Sequence, residues 1–169
     1  LFPWLSVEKN IEFGLLHRIR DKKERAARVR EWLSYVGLSS FSQARPRALS
    51  GGMKQRVAIA RTLAGQPQVV LMDEPFGALD AQTRTAMQDL TASLIDKNHM
   101  TTLFVTHDID ESIIIGDRII VMSGRPGTIA DEIENPFSRP RMSTEIYADP
   151  EYASLKSRIL RTLRNKGLN

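Results

Sequence analysis

The stretch "ALSGGMKQRVAIARTLAGQPQVVLMDEP", residues 48–75, joins two unlike segments through a turn at Gly65, Gln66 and Pro67. Ser50 followed by Gly51 and Gly52 is a helix start, and from there Met53, Val57, Ala60 and Ala64 fall on one helical face. Ile59 and Leu63 widen that face until little of the helix can face water. "VVLMD", residues 69–73, is a β-favouring run between Pro67 and Pro75 that ends in two carboxylates, Asp73 and Glu74. A helix start suited to an anion is thus followed by a strand whose end suits a metal ion or a water.

Working outward, "TLFVTHD" (102–108) and "RIIVMS" (118–123) repeat the apolar run, and continuous rather than alternating apolarity predicts strands covered on both faces. Between the first two strands, Met87, Leu90 and Leu94 keep helical spacing, so strand, helix and strand follow one another as in a parallel crossover. The fold class is therefore α/β. Upstream, "DKKERAARVREWLSYVGL" sets Ala26, Val29, Leu33 and Val36 on one face, with Gly37 as its stop. Downstream, "SGRPGT" reads as a turn, "IADEIE" as a strand, and a basic helix is expected from about Pro150.

Composition bounds the rest. A chain of 169 residues with 41% apolar side chains can bury an ordinary core, and no apolar run has the length of a membrane span. It is expected to be soluble. With no cysteine, disulfides and thiolate metal sites are excluded. The net charge of +4, from 24 basic and 20 acidic residues, is concentrated in "HRIRDKKERAARVR" and "RILRTLRNK". Both have helical periodicity and read as solvated helix faces, with no nucleic acid expected as partner.

In a parallel sheet, ligands bind beyond the carboxyl ends of the strands, where Asp73, Glu74, His107 and Asp108 all fall. Adjacent carboxylates suit a division of labour: one holds a hard cation through water, the other orients or deprotonates a nucleophilic water. They equally suit a strand end that caps the next turn. His107 suits a phosphate contact or a satisfied structural histidine. Ser50 and Asp80 are ordinary N-cap residues as well as candidate ligand contacts. What raises Ser50 is Gly51-Gly52, whose amides, free of Cβ atoms, can approach an anion at the positive end of a helix.

Taken in order, "LSGGMKQ" (49–55) resembles the signature motif of ATP-binding cassette (ABC) ATPases, "VVLMDE" (69–74) their Walker B strand, "GALD" (77–80) their D-loop and "VTHD" (105–108) their histidine switch. The resemblance covers about residues 1–135. It implies a P-loop NTPase-like α/β domain, with a helical and signature subdomain over about 1–64 and a Walker B to histidine-switch core over about 66–123. Residues 136–169 are then a C-terminal extension with the basic helix. It implies ATP and Mg²⁺ as cofactors and a head-to-tail dimer with a second such subunit. Ser50, Gly51, Gly52, Gln55 and Asp80 would bind nucleotide, the first three touching the γ-phosphate across the dimer and Asp80 linking the two sites. Asp73 would position Mg²⁺, Glu74 would act on the attacking water, and His107 would contact the γ-phosphate.

No Gly-x-x-x-x-Gly-Lys-Ser/Thr occurs, and no glycine is followed by lysine, so the phosphate loop of the family is missing. The chain is expected to be the C-terminal portion of a longer subunit, inactive by itself. "LFPWLSVEKNIEFGL", "DEPFGALDAQTR" and "DRIIVMSGRPGTI" look most like importer subunits serving nitrate, sulfonate, taurine and similar solutes. That likeness implies a place on the cytoplasmic face of the cell membrane. The partners would be transmembrane permease subunits and, indirectly, an external solute-binding protein. Phe2, Trp4 and Leu5 would meet the permease or else belong to the core. The alternatives are a soluble ATPase of the same class acting on nucleic acid or ribosomes, and a degenerate cassette that does not hydrolyse ATP.

Overall fold

The computed structural model describes residues 1–141 and 143–165; the expectations for residue 142 and for residues 166–169, the end of the basic segment included, lie outside the described residues. From the N-terminus the elements are α1 (Val7–Leu15), α2 (Lys22–Tyr35), α3 (Gly51–Ala64), β1 (Val69–Asp73), α4 (Ala81–Lys97), β2 (Thr101–Val105), α5 (Ile109–Ile115), β3 (Arg118–Met122), β4 (Ile129–Glu134), α6 (Ser143–Ile146) and α7 (Pro150–Asn165). Short 3₁₀ turns at Ser39–Phe41 and Pro46–Ala48 join α2 to α3.

Side-chain caps start most of the longer helices. Ser6, Asp21, Ser50, Asp80 and Asp108 each accept a backbone N–H two or three residues on, satisfying donors that the first helical turn leaves free. α2 stops where Gly37 takes φ +64°, a left-handed turn that a side chain would resist. α1, which the sequence reading did not anticipate, follows from Ser6 as cap and from Val7, Ile11 and Leu15 at fourfold spacing, all buried.

α1 lies across α3 at very close range. A Cβ on Gly14 would stand 2.0 Å from the Arg61 carbonyl oxygen, so only glycine permits this crossing. Val57, Ala60, Leu63 and Ala64 of α3 then share one core with Val7, Ile11, Val29, Leu33, Val70, Met72 and the fully buried Phe76. The loop before α1 is fixed by buried Asn10, whose side chain accepts from the Phe2 N–H and donates to the carbonyls of Phe2 and Leu5. A second core forms from Ile113, Ile119, Val121, Ile133, Ile146, Leu155 and Ile159, contributed by α5, β3, β4, α6 and α7.

β1 and β2 pair in parallel, Val69 opposite Thr101 and Asp73 opposite Val105, with α4 between them in the chain. One expectation is corrected here. The strands are not covered on both faces: Val70 and Met72 point into the core, while Val69, Leu71, Leu103 and Val105 are half or more exposed. Among the described residues the ladder has two strands, and no element packs over its outer face. β3 does not extend this ladder either. It pairs antiparallel with β4 through a turn in which the Ser123 N–H donates to the Thr128 carbonyl at 2.7 Å, and a register irregularity falls between Val121 and Met122. Its residues alternate inward and outward, Ile119 and Val121 buried against Ile120 and Met122 exposed, as a sheet with one covered face requires.

Candidate functional site

Parallel pairing brings the ends of β1 and β2 level, and with them the residues that follow. The Glu74 N–H donates to the Val105 carbonyl at 2.9 Å, and Glu74 takes φ +43°. For a non-glycine residue that conformation is disfavoured by about 1–3 kcal/mol and persists only where neighbours over-determine it. The backbone reversal turns the Glu74 side chain toward the second strand, where its Oε1 lies 3.0 Å from His107 Nδ1. Both side chains are largely in solvent. The hydrogen bond from Glu74, and then its charge, hold the His107 imidazole above the usual histidine range.

His107 sits in a three-residue bridge between β2 and α5 that is fixed from both sides. Thr106 Oγ1 donates to Glu111 Oε2 at 2.5 Å and accepts from the Asp108 N–H at 3.0 Å, while Asp108 caps α5 through the amides of Asp110 and Glu111. Glu111 is buried and also accepts from Gln88 of α4. The sequence reading missed this support. The available signal was an acid four residues beyond His107, heading the apolar run Ile113-Ile114-Ile115.

Across the site, Ser50 caps α3 by accepting from the Met53 N–H at 3.2 Å, leaving the exposed Gly51 beside it. Gly52 packs against the loop after β1: a Cβ there would lie 3.0 Å from the Ala78 carbonyl oxygen and 3.3 Å from Leu79. Gln55 reaches the same loop with its side-chain amide, bonding Glu74 and Ala78. Asp80 caps α4, and the Thr83 N–H it accepts holds its carboxyl below the usual range. The fold thus brings Glu74 and His107 into contact and seats the α3 start against residues 74–79. Among the described residues no hydrogen bond joins the side chain of Ser50 or Asp80 to that pair.

Asp73 is exposed at the carboxyl end of β1. Among the described residues no group of three or more His, Cys, Asp or Glu side chains could hold a metal ion by itself. An exposed carboxylate at a strand end is a hard oxygen donor of the kind Mg²⁺ takes together with waters and substrate phosphates.

A helix start seated on the loop after a parallel strand, with a carboxylate and an imidazole meeting at the strand ends, is the arrangement that the resemblance to nucleotide-binding cassettes implies. The comparisons with known proteins agree. The model of the ABC transporter family matches residues 1–77. A putative ATP-binding protein of Brucella abortus is 46% identical over 159 residues, covering 94% of this chain and 61% of that protein. The aliphatic sulfonates import ATP-binding protein SsuB of Bacillus anthracis is 44% identical over 168 residues, covering 99% of this chain and 64% of that protein. The bicarbonate transport ATP-binding protein CmpC of Synechococcus elongatus is 45% identical over 163 residues, covering 95% and 25%. Among solved structures, a dimeric ATP-binding cassette in a post-hydrolysis state, bound to ADP and Pi, superposes with TM-score 0.71 at 35% identity, covering 82% of this chain and 60% of that one.

The chain thus matches the ABC transporter family over residues 1–77 and is similar to ABC transporter ATP-binding proteins over nearly all of its length. It spans 61% of the length of the first of these relatives.

Proposed function

We propose that the chain is the signature-to-histidine-switch part of the ATP-hydrolysing subunit of an ABC importer for a small solute such as nitrate, a sulfonate or taurine. The observation that carries the reading is the Glu74–His107 contact at the ends of the paired strands, 3.0 Å long and facing solvent where a nucleotide can approach. The names of the sulfonate and bicarbonate relatives support a small anionic solute. The solved cassette, dimeric and bound to ADP and Pi, supports pairing with a second such subunit and a nucleotide ligand.

In this reading Ser50, Gly51 and Gly52 face the γ-phosphate held by the partner subunit, Asp80 meets the interface, and Asp73 is the carboxylate for Mg²⁺, which when bound offsets phosphate charge. Glu74 takes the proton of the attacking water. His107, held near Glu74, donates to the γ-phosphate, so catalysis is positioning plus charge stabilisation. Residues 1–135 are the partial cassette and 136–169 its extension. Among the described residues no helix is long and apolar enough to cross a membrane, so attachment to the cytoplasmic face would run through permease subunits, with a solute-binding protein beyond them. Phe2 and exposed Trp4, which stand 5.6 Å apart, are candidates for the permease contact.

The test places Glu74→Gln in a cassette that carries a phosphate loop ahead of this sequence. Turnover should fall about 10²- to 10⁴-fold while Mg-ATP still binds and an ATP-bound dimer accumulates on size-exclusion chromatography. Asp73→Asn should instead abolish the Mg²⁺ dependence of binding. Hydrolysis at the parental rate in Glu74→Gln would remove Glu74 from the chemistry. The 169 residues alone, without a phosphate loop, should give no micromolar Mg-ATP binding by isothermal titration.

A further inference from the structure

Three bonds hold Glu74 in its left-handed conformation. Its N–H donates to Val105, and its carbonyl accepts both from the Gly77 N–H at 3.2 Å and from Gln55 Nε2 at 2.9 Å. The same Gln55 amide accepts the Ala78 N–H through Oε1 at 2.9 Å. One side chain on α3 therefore uses both ends of its amide on one loop. Beside it, a Cβ on Gly52 would press to 3.0 Å from the Ala78 carbonyl oxygen and 3.3 Å from Leu79, so the α3 start and the loop are closely seated. The two Gln55 bonds use one N–H and one acceptor lone pair of the amide, so a strap and a nucleotide contact are told apart by experiment rather than by hydrogen-bonding capacity.

We infer that Gln55 is a positioning residue: its amide straps the start of α3 to the loop carrying Glu74, so that the anion-facing helix start and the hydrolytic carboxylate move as one body. The inference rests on the reading of Glu74 given above for its catalytic meaning, though the strap itself does not. Its consequence is communication between two nucleotide sites within one chain. Ser50, Gly51 and Gly52 serve the nucleotide of the partner subunit, whereas Glu74 serves the subunit's own, and Gln55 couples the two. A phosphate seating at the helix start would then tighten the loop that aims the base.

Amide hydrogen exchange by NMR on the chain as it stands tests the strap without any nucleotide. Ala78 is exposed, so its N–H owes its protection to Gln55 rather than to burial. It should be protected in the parent and exchange about tenfold faster in Gln55→Ala, the loss of a single hydrogen bond. Gln55→Glu separates the two bonds. Its carboxylate still accepts from Ala78, keeping that amide protected, but donates nothing to Glu74, whose amide resonance and that of Gly77 should shift. Ala60, in the core of the same helix, should not change in either variant. An unprotected Ala78 amide in the parent, or equal protection in Gln55→Ala, overturns the strap, and the parent and Gln55→Glu decide it even if Gln55→Ala does not fold. In a cassette with a phosphate loop, Gln55→Ala should lower kcat and leave the KM for ATP unchanged. A raised KM alone would make Gln55 a nucleotide contact instead. Because the exchange experiment contains no ATP, the strap can stand where the catalytic reading of Glu74 fails.

Discussion

Glu74 and His107 form a contact whose strength is set by solvent, with 52% and 76% of their side chains exposed. Such pairs contribute little to stability and weaken further with salt. Their value is in the proton they share. Because the folded-state pKa of His107 is raised by the Glu74 hydrogen bond and charge, the imidazolium form persists above the ordinary range near 6.5. The stabilisation it brings is fully present below that value and disappears as pH rises through the raised one. Following the His107 ring protons by NMR should give a midpoint above that of a free histidine. Glu74→Gln should return it to the ordinary range, and an unchanged midpoint would mean that the two side chains do not meet in solution. Sequence reasoning placed both residues at one sheet edge because they follow the ends of two successive strands, and the fold brings them into contact there. It missed Glu111, whose partners Thr106 and Gln88 come from two other elements and converge only in the fold.

At the scale of elements, the crossing of α1 over α3 depends on one absent methyl group. Alanine favours a helix over glycine by about 1 kcal/mol, which alone would make Gly14→Ala stabilising. The 2.0 Å approach to the Arg61 carbonyl reverses the sign, since backbone rather than a flexible side chain must move. Overpacking of this kind costs about 1–3 kcal/mol, and urea unfolding should show a net loss in that range. A gain would mean that the helices cross further apart. The helices read from the sequence were α2, α3 and α4, each from an apolar face and a start or stop signal, and α7, from its basic helical periodicity after Pro150. α1 and α5 are short, with 9 and 7 residues, and the apolar segments around them offered no periodicity long enough to stand out. The strands were legible as apolar runs. The parallel pairing of β1 with β2 was legible from the helix between them, but the antiparallel partner of β3 and the exposed outer face of the ladder were not, because a run of Ile and Val carries no mark of its neighbour's direction or of whether its second face will be covered.

Over the whole molecule, two cores share one chain. The first gathers α1, α2, α3, β1 and α4, and the second gathers β3, β4 and α7 under α5. α7 is tied to α5 and β4 by more than apolar contact. Lys156 Nζ lies 2.6 Å from Asp110, Tyr152 donates to the same carboxylate, and Arg158 bridges to Asp131 of β4 at 3.0 Å. Burial, followed by its bond to Asp110, pushes the Tyr152 hydroxyl far above the usual tyrosine range. Removing Ile159 from beneath this helix should cost about 2–5 kcal/mol in the second core. With Ile159→Ala, the amides of Ile119 and Val121 should lose exchange protection while those of Ile59 and Ala60 keep theirs. Equal loss in both sets would mean that the two cores open together.

The pairing of the strands also sets an order in time. Ser123 and Thr128 close β3 onto β4 across a few residues, so that hairpin can form within about 1–10 μs of the chain being free to move. β1 must wait for β2, because Val69 meets Thr101 only after all of α4 has been threaded between them. The entropy of closing that longer loop is lost before its contacts form, which makes the parallel ladder the later event. On a growing chain the delay is longer still, since Asp73 and Glu74 are synthesised well before the strand that brings His107 to them. Through that interval the carboxylates exist without their imidazole, and the site assembles only when β2 arrives.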